Sequence, residues 1–154
     1  LGSNGAGIHG THGEAATHIP TADELSPDNA AYVDSLGWLY FRQGKFTEAL
    51  AELQRAAELI QDEPDSTIHE HIGDTHQQLG QADEARAQWE KSLGLLRKQE
   101  AKMTSPDSYL LEQLGNVLNK LGQADKANAA WQRSYDITPN QPLHKKLHPA
   151  EKKE

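Results

Sequence analysis

The stretch Leu79-Gly80-Gln81-Ala82-Asp83-Glu84-Ala85, running on to Trp89 and Ser92, returns 42 residues later as Leu121-Gly122-Gln123-Ala124-Asp125-Lys126-Ala127, running on to Trp131 and Ser134. A match of that length at a fixed offset is an internal repeat, and it restricts the fold more than any single motif does. One unit of this size cannot bury its apolar face alone, so the copies must stack into a solenoid. A third copy lies upstream at Gln43-Gly44-Lys45-Phe46-Thr47-Glu48-Ala49-Leu50, with Leu53 where the other two carry Trp.

Helical periodicity divides each copy in two. Ser26-Pro27-Asp28 is the predicted start of the first helix, with Ser as cap and Pro at the first helical position. The same device recurs at Ser105-Pro106-Asp107. Val33, Leu36, Gly37 and Tyr40 then recur at helical spacing until Gly44 breaks the pattern, and Ala49, Leu50, Leu53, Ala56 and Ala57 share one face of a second helix over 46–60. The second hairpin is expected from about Thr67 to Leu79 and from Ala82 onward, and the third from Asp107 to Leu121 and from Ala124 to Ile137. Gly37, Gly73 and Gly115, with Ala49, Ala85 and Ala127, are small where paired helices must cross closely. Leu53, Trp89 and Trp131 are expected to fill the wider space toward the next hairpin.

The pairs Leu36-Gly37, Ile72-Gly73 and Leu114-Gly115 are spaced by 36 and 42 residues. The surplus falls in 92–104, which predicts a longer second helix in the middle hairpin. Leu95, Leu96 and Met103 in that stretch either pad the adjacent helices, the preferred reading, or form an accessory surface. Leu143 and Leu147, one turn apart after Pro139, predict a short helix covering the open end. The expected fold is therefore all-α. Hairpins occupy about 27–61, 66–104 and 106–139, with a cap over 141–148, in a domain running from 26 to 148. A flexible leader containing Gly and His is expected over 1–25, and a disordered tail over 149–154.

Composition narrows the chemistry. A net charge of −8 argues against nucleic acid, whose phosphates need a clustered positive field. No apolar run approaches the roughly 20 residues that a bilayer span requires. With zero cysteines, disulfides, thiolate catalysis and Cys-based zinc sites are excluded. No phosphate-loop, nucleophile-elbow or zinc-protease motif is present, so the chain reads as non-enzymatic and without a cofactor. Gly5-Ala6-Gly7-Ile8-His9-Gly10 has the letters of a dinucleotide fingerprint without the flanking strand and helix, and reads as chance. His69 and His76, seven residues apart beside Ile72 and Gly73, read as packing histidines. Weak metal binding by His9, His12 and His18 is a remote alternative. The sequence starts at Leu1 with no targeting signal, which suggests a processed form or a piece excised from a longer protein, and leaves cytoplasm and periplasm equally open.

The pattern of a Leu-Gly pair in the first helix, Gly at the turn, then Ala, a bulky apolar residue and a small residue in the second, resembles the tetratricopeptide repeat. The first copy supplies Leu36, Gly37, Tyr40, Gly44, Phe46, Ala49, Leu53 and Ala56; the second Ile72, Gly73, His76, Gly80, Ala82, Ala85, Trp89 and Ser92. The third supplies Leu114, Gly115, Leu118, Gly122, Ala124, Ala127, Trp131, Ser134 and Pro139. The wording of the first helices is similar to the C-terminal repeats of larger bacterial members of this family. The resemblance implies a right-handed superhelix whose concave groove takes a peptide. Groove residues would be Asp34, Trp38, Phe41 and Arg42 from the first copy, Glu70, His71, Asp74 and Gln78 from the second, and Tyr109, Glu112, Asn116 and Lys120 from the third. Family members that clamp the carboxylate of chaperone tails need Lys, Asn and Arg on this face. Asp34, Asp74 and Glu112 stand there instead. The implied function is a protein-interaction module for a neutral or basic peptide, held in an acidic groove containing aromatics. The alternative is a structural segment of a longer solenoid, with self-association through its exposed terminal hairpins.

Overall fold

The computed structural model describes residues 28–151. Seven α-helices follow one another: α1 Ala30–Arg42, α2 Phe46–Leu59, α3 Ser66–Gln78, α4 Ala82–Ala101, α5 Ser108–Lys120, α6 Ala124–Ile137 and α7 Gln141–Leu147. A 3-10 turn, Pro149–Glu151, closes the described chain. No strand occurs among the described residues. The leader over 1–25, the Ser26-Pro27 cap and residues 152–154 lie outside them.

The helix starts differ from the sequence expectation in one respect. Asn29, Asp65, Asp107 and Asn140 cap α1, α3, α5 and α7, each side-chain oxygen accepting from the backbone N–H three residues on. Asn29, rather than Ser26, is thus the cap of α1, and Asp107, rather than Ser105, that of α5, where Pro106 precedes the helix instead of opening it. A carboxylate or amide oxygen reaches the exposed N–H groups and complements their positive end, a contribution of about 0.5–2 kcal/mol per cap. Residues 149–151, expected in the disordered tail, form the 3-10 turn instead, where Pro149 contributes an already restricted φ.

α2, α4 and α6 have no side-chain cap. Each instead follows a glycine turn repeated three times. Gly44, Gly80 and Gly122 take φ of 76°, 76° and 78°, and the next N–H returns to the helix just ended, Lys45 to Tyr40, Gln81 to His76 and Gln123 to Leu118, each at 2.9 Å. This arrangement satisfies the orphan carbonyls and turns the chain back in about three residues. Only a residue without a Cβ takes that φ without strain.

Each hairpin, α1·α2, α3·α4 and α5·α6, packs on the next through α2·α3, α4·α5 and α6·α7. Trp89 and Trp131 belong to the core shared with Leu110, Leu114 and Leu143 of the following helices, as expected, and they also fill the crossing of their own hairpins. Their indole rings lie within their own hairpins, against Gly73 and Gly115: a Cβ built on Gly73 would stand 2.5 Å from Trp89 Cδ1 and Nε1. Leu53 takes the same place over Gly37. The two later copies add a hydrogen-bonded staple. Ser92 Oγ donates to the Ser66 carbonyl at 2.8 Å and Ser134 Oγ to the Ser108 carbonyl at 2.7 Å; the corresponding residues of the first copy are Ala56 and Ala30, which need no such bond.

The long α4 places its surplus against the third hairpin. Leu96 is fully buried, and Leu93 and Met103 pack on the same core as Leu110, Leu114 and Trp131. Glu100 accepts from Arg133 of α6 at 3.2 Å. Leu96 and Met103 thus take the padding role expected for them, together with Leu93, while Leu95 is only partly buried and stands outside that core. Leu143 of α7 is completely buried and closes the end of that core.

Candidate functional site

The first helices of successive hairpins stand side by side, and their polar residues meet across the concave face. Counting from each cap, Asp34, Glu70 and Glu112 hold the same register, five residues on. Every one of them is engaged by a cation or imidazole from the following hairpin. Asp34 Oδ1 lies 3.0 Å from His71 Nδ1. Glu70 Oε2 accepts from Lys120 Nζ at 2.6 Å, and Asp74 Oδ2 accepts from the same ammonium at 2.9 Å. Glu112 stands 3.5 Å from Lys146 Nζ, which also donates to Asn116 Oδ1 at 2.8 Å. The carboxylates read from the sequence as an acidic rim therefore form rungs tying neighbouring hairpins together.

Lys120 shows how strongly these rungs are built. Burial disfavours its ammonium, but the charges of Glu70 and Asp74 and the hydrogen bonds to them outweigh that cost, and its pKa is raised above the usual 10.5. Its side chain is 30% exposed and those of its partners 13% and 15%, so the network is shielded from much of the surrounding water.

The Gly+1 residue also serves the fold, Asp74 through its second carboxylate oxygen and Asn116 through the same Oδ1 that takes Lys146. Asp74 Oδ1 accepts from Trp89 Nε1, and Asn116 Oδ1 from Trp131 Nε1, each at 3.0 Å. In the first hairpin the pattern changes on both sides at once. Leu53 replaces the tryptophan and needs no acceptor, and the Gly+1 position is Trp38. Trp38 stacks on Phe41 with centroids 4.3 Å apart and planes 8° from parallel, and on His71 at 4.0 Å and 15°. Phe46 meets Phe41 edge-on at 5.2 Å. Beside this half-buried stack lies an open cavity of about 470 Å³ lined by Asp34, Ser35, Trp38, Leu39, Arg42 and His71.

The structure thus collects Asp34, Trp38, Phe41, Arg42 and His71 at one end of the concave face, with Glu70, Asp74 and Lys120 next and Glu112 and Asn116 beyond. Gln78 is exposed at the end of α3. Tyr109 stands apart. It is 67% exposed, hydrogen-bonds Gln113 at 2.7 Å, and lines a separate cavity of about 1060 Å³ at the rim formed by the starts of α3 and α5 and the end of α4. Lys146 is the groove residue that sequence reasoning missed. Its signal was present: Asn140 is the fourth cap in the series, which makes α7 a shortened first helix and puts Lys146 in the register of His71.

His69 and His76 are buried, with Nδ1 2.8 Å from Gln88 Oε1 and 2.6 Å from Gln81 Oε1 respectively. They are packing residues with amide partners. Among the described residues no group of three or more His, Asp or Glu side chains is placed to hold a metal ion, and no helix is long and apolar enough to cross a membrane.

Comparison with known proteins agrees with the fold. A family model described as a tetratricopeptide repeat matches residues 30–62, and another of the same description matches residues 73–91. A TPR repeat-containing protein of Pseudomonas aeruginosa is 40% identical over 63 residues, covering 41% of this chain and 10% of that protein. The chain therefore spans about a tenth of the length of that curated relative. Among solved structures, the first TPR of Spaghetti bound to the HSP90 peptide SRMEEVD superposes on 78% of this chain and 90% of its own, with a TM-score of 0.54 and 16% identity. The TPR2AB domain of yeast Sti1 in its pHSP90 complex covers 82% of this chain and 47% of its own, with a TM-score of 0.53 and 21% identity. MamA covers 82% and 69%, with a TM-score of 0.51 and 18% identity. At these identities the likeness is one of fold.

Proposed function

The chain belongs to the tetratricopeptide-repeat family, and on that basis we propose that it is a non-enzymatic interaction module that seats a neutral or basic peptide segment against the Trp38–Phe41–His71 stack. The stack is the observation that carries this reading. Trp38 occupies a position that in the other two hairpins is spent on holding a core tryptophan, so its ring is available at the concave surface. Aromatic side chains in a pocket beside shielded polar groups are the usual anchors of peptide recognition. Asp34 and Arg42 at the cavity edge supply one group of each sign for orientation.

Charge favours the same class of ligand. Glu70 and Asp74 share one ammonium, and Asp34 faces an imidazole, so the first two rungs hold more carboxylates than lysines. A segment as acidic as the SRMEEVD peptide bound by Spaghetti would be opposed here. The carboxylates on this face are occupied in rungs, which fits binding rather than catalysis.

The test uses the full chain and a peptide array spanning net charges from negative to positive, with selected sequences titrated by fluorescence polarisation. Neutral or basic peptides with a large apolar residue are expected to bind, and Trp38→Ala is expected to weaken them at least about tenfold while leaving the helical circular dichroism unchanged. Binding that survives Trp38→Ala, or selection of acidic peptides, would refute the assignment.

A further inference from the structure

The four capped helices, set in common register, share a second surface that adjoins the groove. Three residues after each cap stand Tyr32, Ile68, Leu110 and Leu143; ten residues after it stand Leu39, Thr75 and Val117. In α3, α5 and α7 these positions are 0–7% exposed, and each of those helices packs on the second helix of the hairpin before it. In α1 the same positions are 38% exposed at Tyr32 and 50% at Leu39. They lie seven residues apart on one side of the helix, and Ser35 and Leu36 between them add no charge.

We infer that this face of α1 receives the second helix of a further hairpin of the same repeat, preceding residue 30 in the solenoid. The occupant follows from the interface, which this chain builds three times, at α2·α3, α4·α5 and α6·α7. The covering helices bring apolar residues at matched register, Ala57 of α2 with Ile60 just past its end and Leu93 with Leu96 of α4, into the core they share with the next first helix. A helix with small or apolar residues at those two positions fits against Tyr32 and Leu39 in the same way. A second copy of this chain offers no second helix for the purpose, since α2, α4 and α6 are each already covered by α3, α5 and α7. A hairpin seated there would also continue the concave face past Trp38. Tyr32 lies outside the cavity beside Trp38, whereas Leu39 lines its edge, so the two surfaces adjoin at Leu39 and are told apart by Tyr32 and Trp38.

The experiment extends the full chain with a second copy of residues 30–65 inserted immediately before Ala30, so that the inserted Asp65 caps the original α1 as it caps α3. The expected result is a melting temperature higher by roughly 5–10 °C and slower amide exchange in the original α1. Tyr32→Glu with Leu39→Glu in the original copy should abolish both gains, whereas Trp38→Ala there should not. A gain that survives the two glutamates, or a folded extended chain with no gain, would overturn the inference. The unextended chain gives an independent check. There, the glutamate pair should shift the melting temperature by less than a few degrees, while glutamates at Ile68 and Thr75, the equivalent pair, should unfold the protein. Equal sensitivity at the two places would show that the α1 face is already occupied. Concentration-dependent dimerisation lost with Tyr32→Glu and Leu39→Glu would assign the face to a second copy, and deprotection of α1 on removing residues 1–27 would assign it to that segment. Either result would also overturn the inference.

Discussion

Replacing Gly73 by Ala sets two effects of opposite sign against each other. Alanine is a better helix former than glycine by about 0.8–1 kcal/mol, so propensity alone predicts stabilisation. The new Cβ, however, would stand 2.5 Å from Trp89 Cδ1 and Nε1 and 3.1 Å from the Ala85 carbonyl oxygen. The indole cannot swing away freely, because Asp74 holds its Nε1 at 3.0 Å and the ring is buried. Relief requires α3 and α4 to separate or the hydrogen bond to break, and overpacking of this kind costs about 1–3 kcal/mol, occasionally more. Loss of the indole hydrogen bond adds about 1–3 kcal/mol if Asp74 Oδ1 is left unsatisfied. Packing wins, and a net loss of roughly 1–4 kcal/mol is expected. Gly94→Ala provides the internal control. It lies in the interior of α4 with no atom within 4 Å of the added carbon, so the propensity gain of about 0.5–1 kcal/mol should appear unopposed. Urea unfolding followed by circular dichroism measures both. If Gly73→Ala stabilised the chain as much as Gly94→Ala, the close crossing of α3 and α4 over Trp89 would be refuted.

Lys120→Met should cost roughly 1–3 kcal/mol, between the values for exposed and buried pairs, because it leaves Glu70 and Asp74 facing each other one turn apart. Since the folded pKa of Lys120 is raised, its contribution is complete below about pH 10.5 and is lost as the pH climbs through the folded value. Urea midpoints of wild type and variant should therefore differ equally at pH 7 and 9 and converge above pH 10.5. Trp131→Phe removes the indole donor while Lys146 still satisfies Asn116, so a loss near 1 kcal/mol is expected from the hydrogen bond, plus a small packing term; a loss above about 4 kcal/mol in thermal or urea unfolding would contradict that account. Leu143→Ala should cost about 2–5 kcal/mol, since its side chain is completely buried at the end of the core. Hydrogen exchange should show α5 and α6 opening more readily in that variant, and unchanged protection there would mean that α7 is not a cap.

Much of the architecture was legible in one dimension. The recurrence of Gly37, Gly73 and Gly115, of the turn glycines and of the small residues in the second helices fixed the helix pairs, because these requirements act between residues close in sequence or at a constant offset. The local caps were misread at Ser105 since a Ser-Pro pair looks like a helix start until the backbone shows which oxygen reaches the third N–H; Asp107 does. The groove was legible only as a set of faces. Trp38, Phe41 and His71 are each legible as groove residues, but their joining into one stack depends on how far one hairpin is rotated against the next.

The sequence by itself determined the all-α class, the number of hairpins, the longer α4 and the small residues that let paired helices cross, because periodicity and Cβ volume are local properties of the chain. The tertiary structure alone decided that the carboxylates are rungs instead of a free acidic rim. Asp34 meets His71, Glu70 and Asp74 meet Lys120, and Glu112 meets Lys146. The physical reason is separation: these partners belong to different hairpins, and only the superhelical stagger brings their charges within hydrogen-bond reach. The same stagger places Tyr109 at the rim.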